Sequence, residues 1–253
     1  MLIVGTEKSP ILEHLPERFL LIDDGPIIDQ LTFPARRKIT RFDYKTHSFN
    51  PLNNMGYRQA RDFIALLDAV FPEGQSTLTK KNANFILLKA LLSNPKRLDR
   101  LLYPKDNDPA HTDAYQKIQT LLLSPVLKTV LCRPTNITFR GILLARLNRA
   151  ELGDFDCFVL GNLLIANYPG QVVIPDFGFY AAPHHIALIR RGRLTAGVNF
   201  LDEVPTKLRP NLLLMDDKIA RHATSDDAET LAVYSGLSRG TVAFTDYVQR
   251  ALT

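Results

Sequence analysis

Three groups of residues in this chain have the types and spacing to act on a phosphate. The apolar run Gln171-Val172-Val173-Ile174 ends in Pro175-Asp176-Phe177, which delivers one carboxylate at the end of a strand. A second apolar run, Ala196 to Leu201, ends in Asp202 and Glu203. Hydrolysis wants one carboxylate to organise Mg²⁺ and another to orient or deprotonate the attacking water, and only if the site is active are Asp176 and Glu203 the candidate catalytic residues. Near the start, Gly5-Thr6-Glu7-Lys8-Ser9 follows a short apolar run, and Gly5, Lys8 and Ser9 are the candidate nucleotide-binding residues. Arg190, Arg191 and Arg193 cluster around Gly192 and are candidates for contact with nucleic acid or a neighbouring subunit. His184-His185 is a poor chelate, because adjacent residues on a helix point about 100° apart. With no third ligand in view, no metal site is expected there.

The elements that must position these residues alternate between strand and helix. Leu2–Val4, Phe19–Ile22 and Lys38–Phe42 predict strands, the second closed by the turn Asp23-Asp24-Gly25-Pro26. Tyr57, Ala60, Ile64, Leu67 and Phe71 recur at helical spacing. Helices also follow to about Leu92 and from Asp113 to about Leu123, giving a helical insertion over about 57–131. Beyond it, Ile137–Leu147 predicts a strand and Asp154–Asn167 a helix, with Asp154 and Asp156 as caps and Phe155 facing inward. Strands then follow at Gln171–Ile174, Ala196–Leu201 and Asn211–Met215, with a helix opened by Pro183 between the first two. Asp226 with Glu229 marks the start of a helix to Leu237. The expectation is a single α/β domain over residues 1–253, a mostly parallel sheet flanked by helices and carrying the helical insertion.

Composition sets bounds. The chain has 253 residues, 45% hydrophobic and 23% charged, ordinary for a globular protein able to bury a sizeable core. No apolar run reaches the ~18 residues of a membrane span, and no signal peptide is read at the start, so no membrane insertion is expected. Cys132 and Cys157 are too few for a disulfide framework, which points to a reduced, cytoplasmic setting. The net charge of +5 permits contact with nucleic acid without demanding it. The basic residues gather in Arg36-Arg37-Lys38, Lys80-Lys81, Lys96-Arg97 and the 190–193 cluster.

In order, the motifs resemble those of the additional-strand P-loop ATPases that pump DNA, the group of conjugation coupling proteins, chromosome translocases and some viral packaging ATPases. His47-Ser48-Phe49-Asn50-Pro51-Leu52 is similar to their s-x-N-P-L loop, and Ile174-Pro175-Asp176-Phe177 to an I-D-E-F Walker B ending. Ile189-Arg190-Arg191-Gly192-Arg193 resembles the R-x-G-R loop before the sensor strand. The segment from Thr224 to Ala232 resembles s-x-x-D-A-x-x-L-A. The resemblance implies a P-loop NTPase-like fold, and as partners DNA, further copies of the chain, or an active ATPase paralogue.

The departures fall on the chemistry. A Walker A loop needs G-x-x-x-x-G-K-[ST]. Only two residues separate Gly5 from Lys8, and the second glycine is absent. One of the two Walker B carboxylates is a proline or a phenylalanine, and Asp202-Glu203 would add negative charge at the sensor position. The leading expectation is therefore a degenerate, non-hydrolysing binding or assembly subunit of phage or mobile-element DNA packaging or transfer, with no cofactor. Two alternatives stand beside it. One is an active DNA-translocating NTPase using ATP and Mg²⁺ at an atypical site. The other is a structural virion or secretion component that binds no nucleic acid.

Overall fold

The computed structural model describes residues 1–5, 10–34, 37–52, 55–71, 77–93, 95–105, 107–220 and 223–234. Lys8, Ser9, Arg36 and the expected end of the last helix at Leu237 lie outside these described residues. In chain order the elements are β1 (Leu2–Val4), α1 (Pro10–Glu13), β2 (Phe19–Asp23), α2 (Pro26–Gln30), β3 (Ile39–Phe42), α3 (Tyr57–Val70), α4 (Thr77–Leu92), α5 (Pro109–Leu121) and α6 (Pro125–Cys132). They continue with β4 (Ile142–Arg146), α7 (Arg149–Asn167), β5 (Gln171–Ile174), α8 (Phe177–Tyr180), α9 (Ile186–Arg190), β6 (Leu194–Val198), α10 (Arg209–Leu213), β7 (Lys218–Ala220) and α11 (Ser225–Tyr234).

The protein is α/β, and its described residues divide into two compact units. The first comprises residues 1–41, 140–148 and 168 onward, and the second residues 42–139 and 149–167. The described strands form one seven-stranded sheet in the order β3-β4-β2-β5-β6-β1-β7. Pairing is parallel from β4 across to β7, with Leu21 opposite both Leu144 and Val173, and Ile3 opposite Gly197. Leu2–Val4, Phe19–Ile22, Val172–Ile174 and Leu194–Val198 are buried along their whole length. Such unbroken apolar runs suit parallel strands covered on both faces. Ile3, Phe19, Leu21, Ile142, Leu144 and Val173 join Ile11, Ile27 and Ile28 in one core cluster. Because the strands run parallel, the residues after β1, β2, β4, β5 and β6 all emerge on one sheet edge.

The second unit is helical and larger than the expected insertion over 57–131, since it takes in α7 and the stretches flanking α3 and α6. Within it, α4 packs on α3 and α5, and α7 on α3 and α6. The s-x-N-P-L-like loop is tied down here. Ser48 N–H donates to Asn136 Oδ1 (2.7 Å) and Ser48 Oγ to the Pro134 carbonyl (2.7 Å). Asn50 Nδ2 donates to the Lys96 carbonyl (2.7 Å), while Asn50 Oδ1 accepts from Leu52 N–H (3.0 Å). The polar residues of that motif are engaged in holding the loop. Asp156 is buried and accepts from Ser124 Oγ (2.6 Å), the residue that caps α6 by accepting from Leu127 N–H. It therefore supports a neighbouring helix and is not the cap of its own. Gly153 breaks α7 with φ 77°, and Phe155 beyond it is exposed, not inward.

Three other expectations are corrected. Asn211–Leu213 is the end of α10 and not a strand. A short apolar run has no periodicity of its own, and Pro210 near the helix start decides for helix. The edge strand is instead Lys218–Ala220, only three residues long. The strand predicted over Ile137–Leu147 shortens to β4, with Gly141 at φ 73° before it. The helix α11 starts at Thr224, whose Oγ1 accepts from Asp227 N–H, and not through Asp226 and Glu229.

Candidate functional site

On the edge where the parallel strands end, Gly5 follows β1 with φ 117°, a conformation that favours glycine, and its N–H donates to the Val198 carbonyl at the end of β6 (2.9 Å). The next described element, α1, is a single turn. So short a helix accumulates little macrodipole to hold a phosphate.

Asp176 follows β5 at the half-buried start of α8, and its side chain makes no capping bond to that helix. Phe177, fully buried beside it, anchors the turn. The sensor-like strand β6 ends at Val198, so Asn199 and not Asp202 stands directly after it. Sequence reasoning passed over this amide because the apolar run was extended to Leu201; the pair Asn199-Phe200 was the available signal. Glu203 Oε2 accepts from Asn199 N–H (3.1 Å), and Asn199 Nδ2 reaches Glu203 Oε1 (3.4 Å). Asp202 is held away from this pair by Arg209, whose Nη1 lies 2.8 Å from its Oδ1. The turn Leu201–Glu203 is fixed from α11, where Asp227 Oδ2 accepts from Leu201 N–H (3.3 Å). Burial raises the pKa of the Asp227 carboxyl, and that bond works against the rise.

Gly178 connects the two carboxylate-bearing segments. A Cβ built on it would sit 2.7 Å from Glu203 Oε2 and 2.8 Å from Glu203 Cβ. The side chain of Glu203 thus packs against the Asp176 turn only because position 178 lacks a Cβ. Gly178→Ala is expected to push the Glu203 backbone aside at a cost of ~1–3 kcal/mol, the usual penalty of overpacking. Urea denaturation measures it, and an unchanged midpoint would show that the two segments do not press on one another.

Behind Asp176, His185 is fully buried, its ring 5.6 Å from that of Phe177 and 4.4 Å from that of His184. His185 Nδ1 accepts from Ala182 N–H (3.2 Å), while His185 Nε2 and His184 Nδ1 are buried without a hydrogen bond. Burial lowers the pKa of His184 to about 4 and that of His185 well below its ordinary value, so both rings are neutral at pH 7. Among the described residues no group of three or more His, Cys, Asp or Glu could hold a metal, and no helix is long and apolar enough to cross a membrane.

Arg190, Arg191 and Arg193 come together in one turn, with Gly192 at φ 63°. That turn precedes β6 and so lies on the sheet edge opposite Asp176 and Glu203. Arg190 Nε donates to Asn211 Oδ1 (2.9 Å), and Arg191 is exposed. Arg193 is committed inward: its Nη2 donates to the Tyr168 and Gly170 carbonyls (2.7 and 2.8 Å) and its Nε to Gly170 (2.9 Å). Arg193→Ala is expected to cost ~2–3 kcal/mol through these charged hydrogen bonds, and Arg191→Ala less than ~0.5 kcal/mol. Chemical denaturation of the two variants tests the contrast.

Strand β6 stands between β1, which leads into the Walker A-like residues, and β5, which leads into Asp176. With helices flanking the parallel sheet, the arrangement defines a P-loop NTPase-like α/β fold. A solved structure with the same fold is VirB4 of Thermoanaerobacter pseudethanolicus, at a TM-score of 0.63 and 10% identity, over 96% of this chain and 82% of that one. No protein-family model matches the chain, and no curated protein matches it in sequence.

Proposed function

We propose that this chain is a non-hydrolysing relative of the DNA-translocating P-loop ATPases, a binding or assembly subunit of a mobile-element or phage DNA-transfer machine. The observation that carries the reading is the connection after β1. Two residues stand where the phosphate loop needs a longer glycine-rich turn, and the helix that follows has four residues, Pro10–Glu13. The residues of this edge therefore fit a triphosphate poorly, and Asp176, Asp202 and Glu203 add negative charge to it. The likeness to VirB4 supports the conjugation- or secretion-ATPase type of fold. In this reading the exposed Arg191, with Arg190, faces DNA or a neighbouring subunit.

A second reading is favoured by one observation. Asn199 orients Glu203 beside the Asp176 turn, an arrangement an active NTPase would need for positioning a water. ATP binding and hydrolysis by the purified protein with Mg²⁺, with and without double-stranded DNA, separates the two. No turnover and no binding at millimolar nucleotide is the expected result. Turnover that Asp176→Asn and Glu203→Gln both abolish would establish the second reading instead. Retention on double-stranded DNA that falls steeply with salt and weakens in Arg190→Ala/Arg191→Ala supports the nucleic-acid role. Unchanged retention in that variant removes the arginines from it.

A further inference from the structure

In the helical unit, α4 is apolar on two faces. Ala83, Leu87 and Leu91 are buried against its neighbours. On the other side, Leu78, Phe85 and Leu92 recur every seven residues and are 69%, 68% and 43% exposed. At 100° per residue these three fall within about 40° of one another, a single stripe along the helix. A contiguous exposed apolar stripe rimmed by polar residues marks an interaction surface. The stripe borders a groove of about 280 Å³ between α3 and α4, whose lining includes Arg61, Ile64, Asp68, Asn84, Phe85 and Leu88.

The polar residues around the groove define what would fit. Asn84 Nδ2 donates to Asp68 Oδ2 (2.7 Å), which fixes the amide and leaves Asn84 Oδ1 buried without a hydrogen-bond donor. Helix α4 carries Lys80, Lys81 and Lys89 and no carboxylate. Lys80 faces Asp68. Lys81 and Lys89 flank the stripe on either side, exposed, and Arg61 stands on the opposite lip, its guanidinium carbon 6.0 Å from the Tyr57 ring centroid. Among the described residues, Arg61, Lys81 and Lys89 enter no ion pair. On the α3 side, Asp62 pairs with Arg58, and Asp68, which lines the groove, is neutralised by Lys117 and Lys80, so the charges left on the rim are the cations Arg61, Lys81 and Lys89.

From this charge pattern we infer that the α3–α4 groove receives an acidic amphipathic helix of a partner protein. Its apolar side chains would cover Phe85 and the stripe, and its carboxylates would meet Arg61, Lys81 and Lys89. This is the helix-in-groove mode, in which apolar anchors at helical spacing supply affinity and flanking charges choose the partner. The inference does not depend on the nucleotide edge.

The test uses the full chain and two labelled synthetic helical peptides that share one leucine stripe, flanked by glutamate in one and by lysine in the other. Fluorescence anisotropy reads the affinity. The glutamate peptide is expected to bind at least about tenfold more tightly than the lysine peptide, and Phe85→Ser to weaken it about tenfold or more, as loss of a buried anchor does. Lys81→Glu/Lys89→Glu is expected to reverse the preference, a result that loss of folding cannot produce. Equal affinity for both peptides, no binding of the glutamate peptide, or an unchanged affinity in Phe85→Ser would overturn the inference. So would a wild-type dimer in sedimentation that Phe85→Ser converts to monomer, since a second copy of the chain would then be the occupant.

Discussion

Lys117→Met is expected to destabilise the helical unit by ~3–5 kcal/mol, the scale seen when one partner of a buried ion pair is removed. The side chain of Lys117, on α5, is 7% exposed and its ammonium serves two carboxylates. It lies 3.0 Å from Asp68 Oδ1 on α3 and 3.4 Å from Asp113 Oδ2 one turn back on its own helix. Asp68 has further support from Asn84 Nδ2 and, at 3.8 Å, from Lys80. Asp113, with a side chain 8% exposed, has Lys117 as its cation. The methionine would preserve most of the packing volume and remove only the charge, which leaves Asp113 buried and uncompensated. Replacing both, as Lys117→Met/Asp113→Leu, is expected to recover much of the loss, because the desolvated carboxylate goes with its partner. Hydrogen exchange of the α3, α4 and α5 amides, alongside denaturation, localises the effect to this unit. A loss below ~1 kcal/mol in the single variant would mean that water already reaches the pair.

Much of this architecture was legible in the sequence, and the misses have physical reasons. The buried strands β1, β2 and β5 stand out as short apolar runs closed by turn residues and lie where the runs do, whereas β6 overlaps its expected run only over residues 196–198. Their parallel pairing follows from the helices between them. The run ending in Met215 failed because four apolar residues are equally at home in a buried helix, and only Pro210 distinguishes the two. The extent of the helical unit was missed because α7 is apolar enough to read as part of a sheet-covering layer. At the site, Asp176 was placed correctly at a strand end, whereas the partner of Glu203 was not found. Three residues of error at the end of β6 hid Asn199, because the apolar run resumes at Phe200 and Leu201 after the strand has ended at Val198. The inward role of Arg193 was invisible in principle. A cation in a basic cluster is bound or free according to which carbonyls the fold brings to it, here those of Tyr168 and Gly170.

Acidification from pH 7.5 to pH 5 is expected to weaken the sheet unit through His184 and His185. In the folded chain burial depresses His184 to about 4, and His185 lies well below its ordinary value through burial and the neighbouring ring. The unfolded chain takes up these protons near the ordinary value of ~6.5. Between pH 6.5 and about 4 the unfolded state therefore binds more protons, and stability falls as the pH falls. Above pH 6.5 the contribution is complete. Each ring loses up to ~1.4 kcal/mol per pH unit within the window, so the pair accounts for ~2–4 kcal/mol by pH 5. The buried carboxylates act with the opposite sign. Burial raises Asp23, Asp156 and Asp227, so the folded state takes their protons first and gains stability on acidification between their ordinary and their raised values. Only a variant isolates the histidine share. His184→Leu removes a buried nitrogen that has no hydrogen bond, and His185→Asn offers an amide oxygen where Nδ1 accepts from Ala182 N–H. The double variant should match the wild type at pH 7.5 to within ~1–2 kcal/mol and exceed it at pH 5, so that the two stability curves cross or converge. Parallel curves in urea denaturation across that range would show that the rings are already solvated in the folded protein. Because His185 packs on Phe177, which anchors the Asp176 turn, the wild type is expected to lose hydrogen-exchange protection first in residues 177–190. Acid would then open the candidate site before it unfolds the rest of the sheet.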